Sequence, residues 1–179
     1  MRQVSIVEYV NSAGIYTILI NNARFHDRFQ DNIKNLFYHY LNDGEVFFGF
    51  CRLDGTNLKS NQYKELKNAI PDFFKKHGSL HIINEYLSAG RLDSCRYDNI
   101  IPLIFDYYLE TILFNPKSDW GTFLKYYSDY QNIRLENIIL NNYADILFYY
   151  FDSGDLEICF STEKYSLKEI KSLIYKIFR

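Results

Sequence analysis

The stretch that decides the fold runs from residue 146 to residue 179 and has the sequence ILFYYFDSGDLEICFSTEKYSLKEIKSLIYKIFR. Its first six residues are all apolar or aromatic, and Leu156, Ile158 and Phe160 then alternate with Glu, Cys and Ser. A continuous apolar run predicts a strand buried on both faces, whereas alternation predicts a strand buried on one. Between the two runs lies DSGD, which supplies a glycine for positive φ and side chains that can bond their own turn. We therefore predict a β-hairpin over residues 146–162.

A capped helix is expected to follow this hairpin. Ser166 and Glu169 have the spacing of a capping box, in which each side chain accepts from the other residue's backbone N–H. The apolar residues beyond them recur at helical spacing, with lysines on the opposite side. One face of the helix must therefore be buried, and we expect it to pack on the sheet that contains the hairpin.

The rest of the chain predicts an α+β fold that is mainly helical. Its antiparallel sheet is expected to combine N-terminal strands, a strand near 46–53 and the C-terminal hairpin. Turn and capping signals divide the chain into strands over 3–10, 15–20 and 46–53, and helices over 25–41, 61–76, 80–87, 98–114, 118–130 and 133–141. We expect residues 1–179 to form a single domain, with residues 88–97 as a candidate internal boundary.

Composition indicates a soluble globular protein of the cytoplasm. The three cysteines, Cys51, Cys95 and Cys159, are far apart and form no CxxC pair, so we expect neither a disulfide framework nor a thiolate metal site. The N-terminus lacks the apolar stretch of a signal peptide, and no apolar run is long enough to cross a membrane.

Charge is distributed unevenly along a chain whose formal net charge is only -2. Residues 97–163 contain three basic side chains against eleven acidic ones, whereas residues 164–179 contain five basic side chains and one acidic one. The acidic segment is also the aromatic one, which is unfavourable for binding phosphate. We therefore expect no direct contact with nucleic acid.

No catalytic or metal-binding pattern stands out, and no cofactor is expected. His77 and His81 are four residues apart, but Gly78 interrupts the helix between them and no glutamate follows His77. Asp106 and Glu110 share one edge of the predicted helix over 98–114, where a solvated edge is the simpler interpretation. The cysteines lack an adjacent histidine, and no glycine-rich phosphate loop is present.

What remains is an acidic surface rich in tyrosine. Tyrosine gives large contact area at low entropic cost, while carboxylates attract a basic partner. The alternative is that the tyrosines pack inward and the acids only keep the domain soluble. The candidate partner-binding residues are Tyr126, Tyr127, Asp129, Tyr130, Asp152, Asp155 and Glu157.

With its YYSDY segment at 126–130, its DSGD turn at 152–155 and this charge pattern, the chain resembles the immunity proteins that bacteria carry against toxins delivered by neighbouring cells. The resemblance implies tight binding to a cognate basic toxin domain, with a nuclease as the expected activity. Carboxylates that mimic phosphate would then cover the toxin's active site or substrate groove.

Two other classes of function stay open. One is a structural or adaptor subunit of a larger assembly, which would expose a large apolar patch. The other is a small enzyme with a site assembled from dispersed residues such as His39, Asp106 and Glu110, which would show a pocket where these groups converge.

Overall fold

A computed structural model describes residues 4–10, 14–41, 44–51, 71–83, 87–92, 100–102, 110–129, 134–151 and 153–178. The strands are β1 (Ser5–Val10), β2 (Ile15–Asn21), β3 (Val46–Cys51), β4 (Gly78–Ile82), β5 (Leu87–Leu92), β6 (Glu110–Phe114), β7 (Ile146–Tyr150) and β8 (Leu156–Ser161). The helices are α1 (Phe29–Tyr40), α2 (Trp120–Tyr127), α3 (Leu135–Leu140) and α4 (Leu167–Phe178). Residues 71–77 and 100–102 are also helical, and a 3-10 turn spans Ala23–Phe25.

The centre of the molecule is an antiparallel sheet of eight strands in the order β1-β2-β8-β7-β6-β3-β5-β4. The expectation of a mainly helical chain is therefore wrong, although the combination of helices with an antiparallel sheet is compatible with α+β. The two hairpins at the ends of the chain and the strand near 46–53 lie in this sheet. The sheet also includes strands from both sides of residues 88–97.

Strands β4 and β6 replace parts of the helices predicted over 80–87 and 98–114, and β5 extends from the end of the first of these helices into the candidate boundary at 88–97. Thr111, Ile112, Leu113 and Phe114 are all buried. A short strand buried on both faces is a continuous apolar run, and such a run has no periodicity that distinguishes it from a buried helix. Of the helices predicted over 61–76, 80–87 and 98–114, residues 61–70, 84–86, 98–99 and 103–109 lie outside the described part of the chain.

Helices cover both faces of the sheet. Phe47 and Phe48 of β3 belong to two different buried clusters, because adjacent strand residues point to opposite faces. The cluster of Phe48 is covered by α1, α4 and the helical residues 71–77, and we call this side the α1/α4 face. The cluster of Phe47 is covered by α2 and α3, and we call that side the α2/α3 face.

The C-terminal helix is fixed to the first strand by a polar cluster around Glu8. Lys171 Nζ and the Tyr16 hydroxyl donate to Glu8 Oε2 at 2.7 and 2.6 Å, and the Tyr175 hydroxyl donates to Oε1 at 3.1 Å. The hydrogen bond from Lys171 is the main reason that the pKa of Glu8 is lowered. The cluster joins β1, β2 and α4, so it holds the outermost strand of the sheet against the helix.

No helix in the described part of the chain has the length and apolar character that crossing a bilayer requires.

Candidate protein-binding surface

Helix α2 determines where the predicted YYSDY segment lies. Its N-terminus is capped by Asp119, which accepts from the backbone N–H and the hydroxyl of Thr122 at 3.0 and 2.7 Å. From that start, Phe123 and Tyr127 are four residues apart and both turn toward the sheet, with exposures of only 1% each. The expectation that Tyr127 presents its ring to a partner is therefore wrong.

The other described residues of this segment lie nearer the surface. Tyr126 is half-buried, its ring 4.9 Å from that of Tyr143, and burial raises the pKa of its hydroxyl. Asp129 is exposed just beyond the C-terminal end of α2. Tyr130 lies outside the described residues.

Asp155 at the tip of the β7–β8 hairpin is occupied by structural hydrogen bonds. Its carboxylate accepts from the backbone N–H of Asn22 at 2.6 Å and from the Ser153 hydroxyl at 3.0 Å. The backbone N–H of Arg24 also donates to the Gly154 carbonyl at 3.0 Å. Asp155 thus ties the hairpin to the turn after β2, and Asp152 lies outside the described residues.

A row of paired residues crosses the whole sheet on the α2/α3 face. Glu157 of β8 is the one carboxylate in this row. The row consists of Val7, Leu19, Glu157, Tyr149, Ile112, Gly49, Ala89 and His81. The Tyr127 ring lies over Gly49 of β3 in this row. Three strand spacings separate β3 from β8, so the Tyr127 ring lies roughly 14 Å from Glu157.

Burial, together with the smaller effect of the nearby Glu136 carboxylate, raises the pKa of Glu157 to about 7. Both effects disfavour the charged form, because one removes water and the other adds a like charge. Glu136 lies in the first turn of α3, where the helix dipole favours an acid. We call Glu136 and Glu157 the acidic patch.

The acidic patch has apolar and aromatic neighbours but no paired cation. Leu19 and Tyr149 are the direct cross-strand neighbours of Glu157, and both are partly exposed. Among the described residues, no lysine or arginine forms an ion pair with either carboxylate of the patch. A half-buried carboxylate beside a second one, without compensation, is a common feature of functional sites.

Cys159 lies two residues further along β8 and is fully buried. The Thr17 hydroxyl is 3.5 Å from its sulfur, and burial raises the pKa of the thiol to about 12. A thiol with that pKa stays protonated at neutral pH and is a poor nucleophile. Cys159 therefore packs as a small apolar side chain, whereas the side chain of Cys51 and all of Cys95 lie outside the described residues.

The dispersed acid/base groups do not converge. His39 lies on α1 and lines a groove of about 600 Å³ between α1 and α4, whereas Glu110 begins β6 and alternation directs it toward the α2/α3 face. The two are on opposite sides of the sheet, and Asp106 lies outside the described residues.

Histidines 77 and 81 do not share a helical turn either. His77 ends the helical residues 71–77 with its ring 4.8 Å from that of Phe73, and His81 is exposed on β4. In the described ranges no three His, Cys, Asp or Glu side chains form a group that could hold a metal ion.

Two residues of this surface, Glu136 and Tyr149, are absent from the sequence-based set. Tyr149 could have been found, because the predicted turn fixes the hairpin register and places Tyr149 opposite Glu157. Glu136 could not, because its proximity to Glu157 depends on how α3 packs across the sheet.

Comparison with known proteins finds no significant match: no protein-family model, no curated protein and no solved structure is similar to this chain.

Proposed function

We propose that this protein is a cytoplasmic immunity protein, which binds a cognate basic toxin domain and neutralises it through the acidic patch and its neighbours. The observation that carries the proposal is the half-buried pair Glu136 and Glu157, which no described cation compensates. The resemblance in charge pattern to immunity proteins supports the same class of function.

A basic partner would supply the cation that Glu157 lacks in the free protein. Glu157 has already lost part of its hydration in the free protein, so an incoming Arg or Lys faces a smaller additional desolvation cost at this carboxylate. That cation also relieves the repulsion from Glu136. Tyr149 and Leu19 flank the carboxylate and can exclude water around the new ion pair, as the surroundings of a binding hot spot do.

A nuclease is the toxin activity that best fits this chemistry. Nucleases bind phosphates with Lys and Arg side chains, and two adjacent carboxylates present negative charge to the same groups. Asp129 adds a further exposed acid at the end of α2 on the same face of the sheet. The protein thereby competes with the nucleic-acid substrate.

The test begins with the neighbouring reading frame, where a toxin gene is expected. The basic C-terminal domain of its product is purified, and its affinity for this protein is measured by calorimetry. Glu157→Gln should weaken binding by about 30-fold, because the partner's cation loses its charged acceptor. Affinity for the native protein should rise between pH 6 and pH 8, because Glu157 must lose its proton to form the ion pair.

The matched control is Glu163→Gln, which removes an exposed carboxylate from the turn after β8 and should leave the affinity unchanged. Equal binding by both variants would contradict the role of the patch. A neighbouring frame without a basic domain, together with a pull-down that recovers no basic partner, would contradict the proposed function itself.

A structural or adaptor subunit is the second candidate, and the exposed apolar residues of β1 favour it. Val7, Tyr9 and Val10 are 37%, 52% and 70% exposed on one edge strand. An adaptor would retain its assembly partners when Glu157 is replaced, whereas an immunity protein would not retain its toxin.

A further inference from the structure

Strand β1 forms one edge of the sheet, and no described strand pairs with its outer side. In the described part of the chain, the N–H and C=O groups on that side therefore face no other strand, and an edge of this kind can pair with one. Of the seven large hydrophobic side chains that are exposed in the described residues, three belong to this strand of six: Val7, Tyr9 and Val10. The edge thus combines free backbone groups with apolar side chains.

Three of the usual protections of an edge strand, namely lysine, proline and a bulge, are missing from β1. Natural edges are kept apart by lysines, prolines, bulges or inward-pointing charges. The sequence SIVEYV contains no Lys, Arg or Pro, and its pairing with β2 is unbroken from Ser5–Asn21 to Val10–Tyr16. Its one charge, Glu8, is held by Lys171, Tyr16 and Tyr175.

We infer that β1 pairs antiparallel with β1 of a second copy of this chain, across a two-fold axis at Val7, to form a continuous sixteen-stranded sheet. Such an interface is self-complementary, so each contact is made twice. The inference is independent of the proposed toxin partner, because it concerns the strand edge and not the acidic patch.

The register follows from the side chains. A two-fold axis perpendicular to the sheet places the α2/α3 face of one copy beside the α2/α3 face of the other. Because opposed residues of an antiparallel pair point to the same face, this axis must pass beside one residue of β1, which then lies opposite its own copy. An axis at Glu8 would place two carboxylates directly opposite each other, which is unfavourable. An axis at Val7 pairs Val7 with its own copy, Tyr9 with Ser5, and Val10 with Val4. Each of the three exposed apolar side chains then gains a neighbour across the interface.

The geometry is also preorganised, because the Glu8 cluster fixes β1 against α4 before any partner binds. Glu157 is two strands inward from β1, at roughly 10 Å, so pairing at the edge leaves the acidic patch open. A single six-residue strand pair buries less than the roughly 800 Å² per partner of a standard interface, so the dimer should depend on concentration.

Sedimentation equilibrium of the full chain between about 5 and 500 µM tests the inference. The native protein should shift from monomer to dimer over that range. Val7→Lys should raise the dimer dissociation constant at least tenfold, because it places two like charges together on the axis. Ile82→Lys is the matched control: Ile82 is 57% exposed on β4, the opposite edge strand, and its replacement should leave the dimer intact.

Cross-linking reads the register independently. Under mild oxidation, Val7→Cys should form a disulfide-linked dimer, whereas Tyr9→Cys should not, because the axis at Val7 places the two Tyr9 positions four residues apart along the strand. The native chain is oxidised in parallel, to measure any disulfide-linked dimer that its own cysteines form. A monomer at every concentration would overturn the inference, as would a dimer that Ile82→Lys dissociates and Val7→Lys does not.

Discussion

The Glu157 carboxyl is subject to two unfavourable influences, burial and the neighbouring Glu136 carboxylate, and both raise its pKa. An ion pair with a cation would relieve both influences, yet the lysine ion pairs of the described residues lie elsewhere: Lys171 pairs with Glu8, and Lys117 pairs with Asp145 at 2.8 Å. Such residual strain in the free protein is typical of positions whose stability has been traded for binding.

The pH dependence of stability should report this directly. The folded pKa of Glu157 is about 7, above the ordinary value of 4.5, so the folded state holds the proton more tightly than the unfolded state does. Below pH 4.5 both states are protonated and there is no penalty. As pH rises from 4.5 to 7 stability is lost, and above pH 7 the loss is complete, at about 2 kcal/mol after allowance for partial exposure.

Glu157→Gln removes the charge, so the free energy of unfolding of this variant should exceed that of the native protein by about 2 kcal/mol at pH 8. The two free energies should be equal at pH 4.5. Urea denaturation at the two pH values measures this, and Glu163→Gln should match the native protein at both. A Glu157→Gln variant that is no more stable at pH 8 would remove the electrostatic argument. The same substitution is expected to weaken toxin binding, so misfolding cannot account for that loss.

Among the strands, β3 and β5 use glycines to admit aromatic rings from helical segments on opposite faces. A side chain on Gly49 would place its Cβ 2.2 Å from Tyr127 Cζ, and one on Gly90 would place it 2.3 Å from Phe74 Cζ. Tyr127 cannot swing aside, because it is buried and stacked on Phe123 at 5.2 Å. Helix α2, and with it Tyr126 and Asp129, is thus positioned by the absence of a side chain on β3.

Gly49→Ala should therefore destabilise the protein by about 2–3 kcal/mol through overpacking. Thermal or urea unfolding measures the change. Gly121→Ala, at the exposed N-terminal turn of α2, is the control: its Cβ would lie 3.2 Å from Asp119 Oδ1, an exposed side chain that can shift, so the change should stay within about 0.5 kcal/mol. In a double-mutant cycle, Tyr127→Leu should cost less in the Gly49→Ala background than alone. Additive effects would mean that the ring does not press on this glycine.

The same strands show how far sequence patterns reach. The hairpin over 146–162, its capped helix and the N-terminal hairpin have strong local signals, and the structure contains all three. Strands β4 and β5 together contain one β-branched residue, Ile82, and no Phe, Tyr or Trp, and Gly90 of β5 lies where the Phe74 ring approaches. The missed strand β6 has a different cause: it is buried along almost its whole length and therefore lacks the alternation by which a half-buried strand is recognised.

For the molecule as a whole, two helices of the acidic segment and the lysine-rich C-terminal helix cover opposite faces of the sheet. The acidic segment provides α2 and α3, which cover one side of the sheet, while the lysine-rich α4 lies on the other. Lysines of α4 are therefore separated by the sheet from Glu136 and Glu157. The charge pattern could be predicted from the sequence, but the pair of carboxylates could not, because it arises from residues 21 positions apart on two elements.

The proposed binding of a basic partner has one electrostatic requirement: the charge of Glu157 must be unfavourable in the free protein. Side-chain ¹³C NMR titration of the Glu157 carboxyl is the most direct measurement of that prerequisite. We expect a midpoint at about pH 7. A midpoint near the ordinary value of 4.5 would mean that water or an undetected cation already compensates the charge, and the acidic patch would then offer no particular advantage to a basic partner.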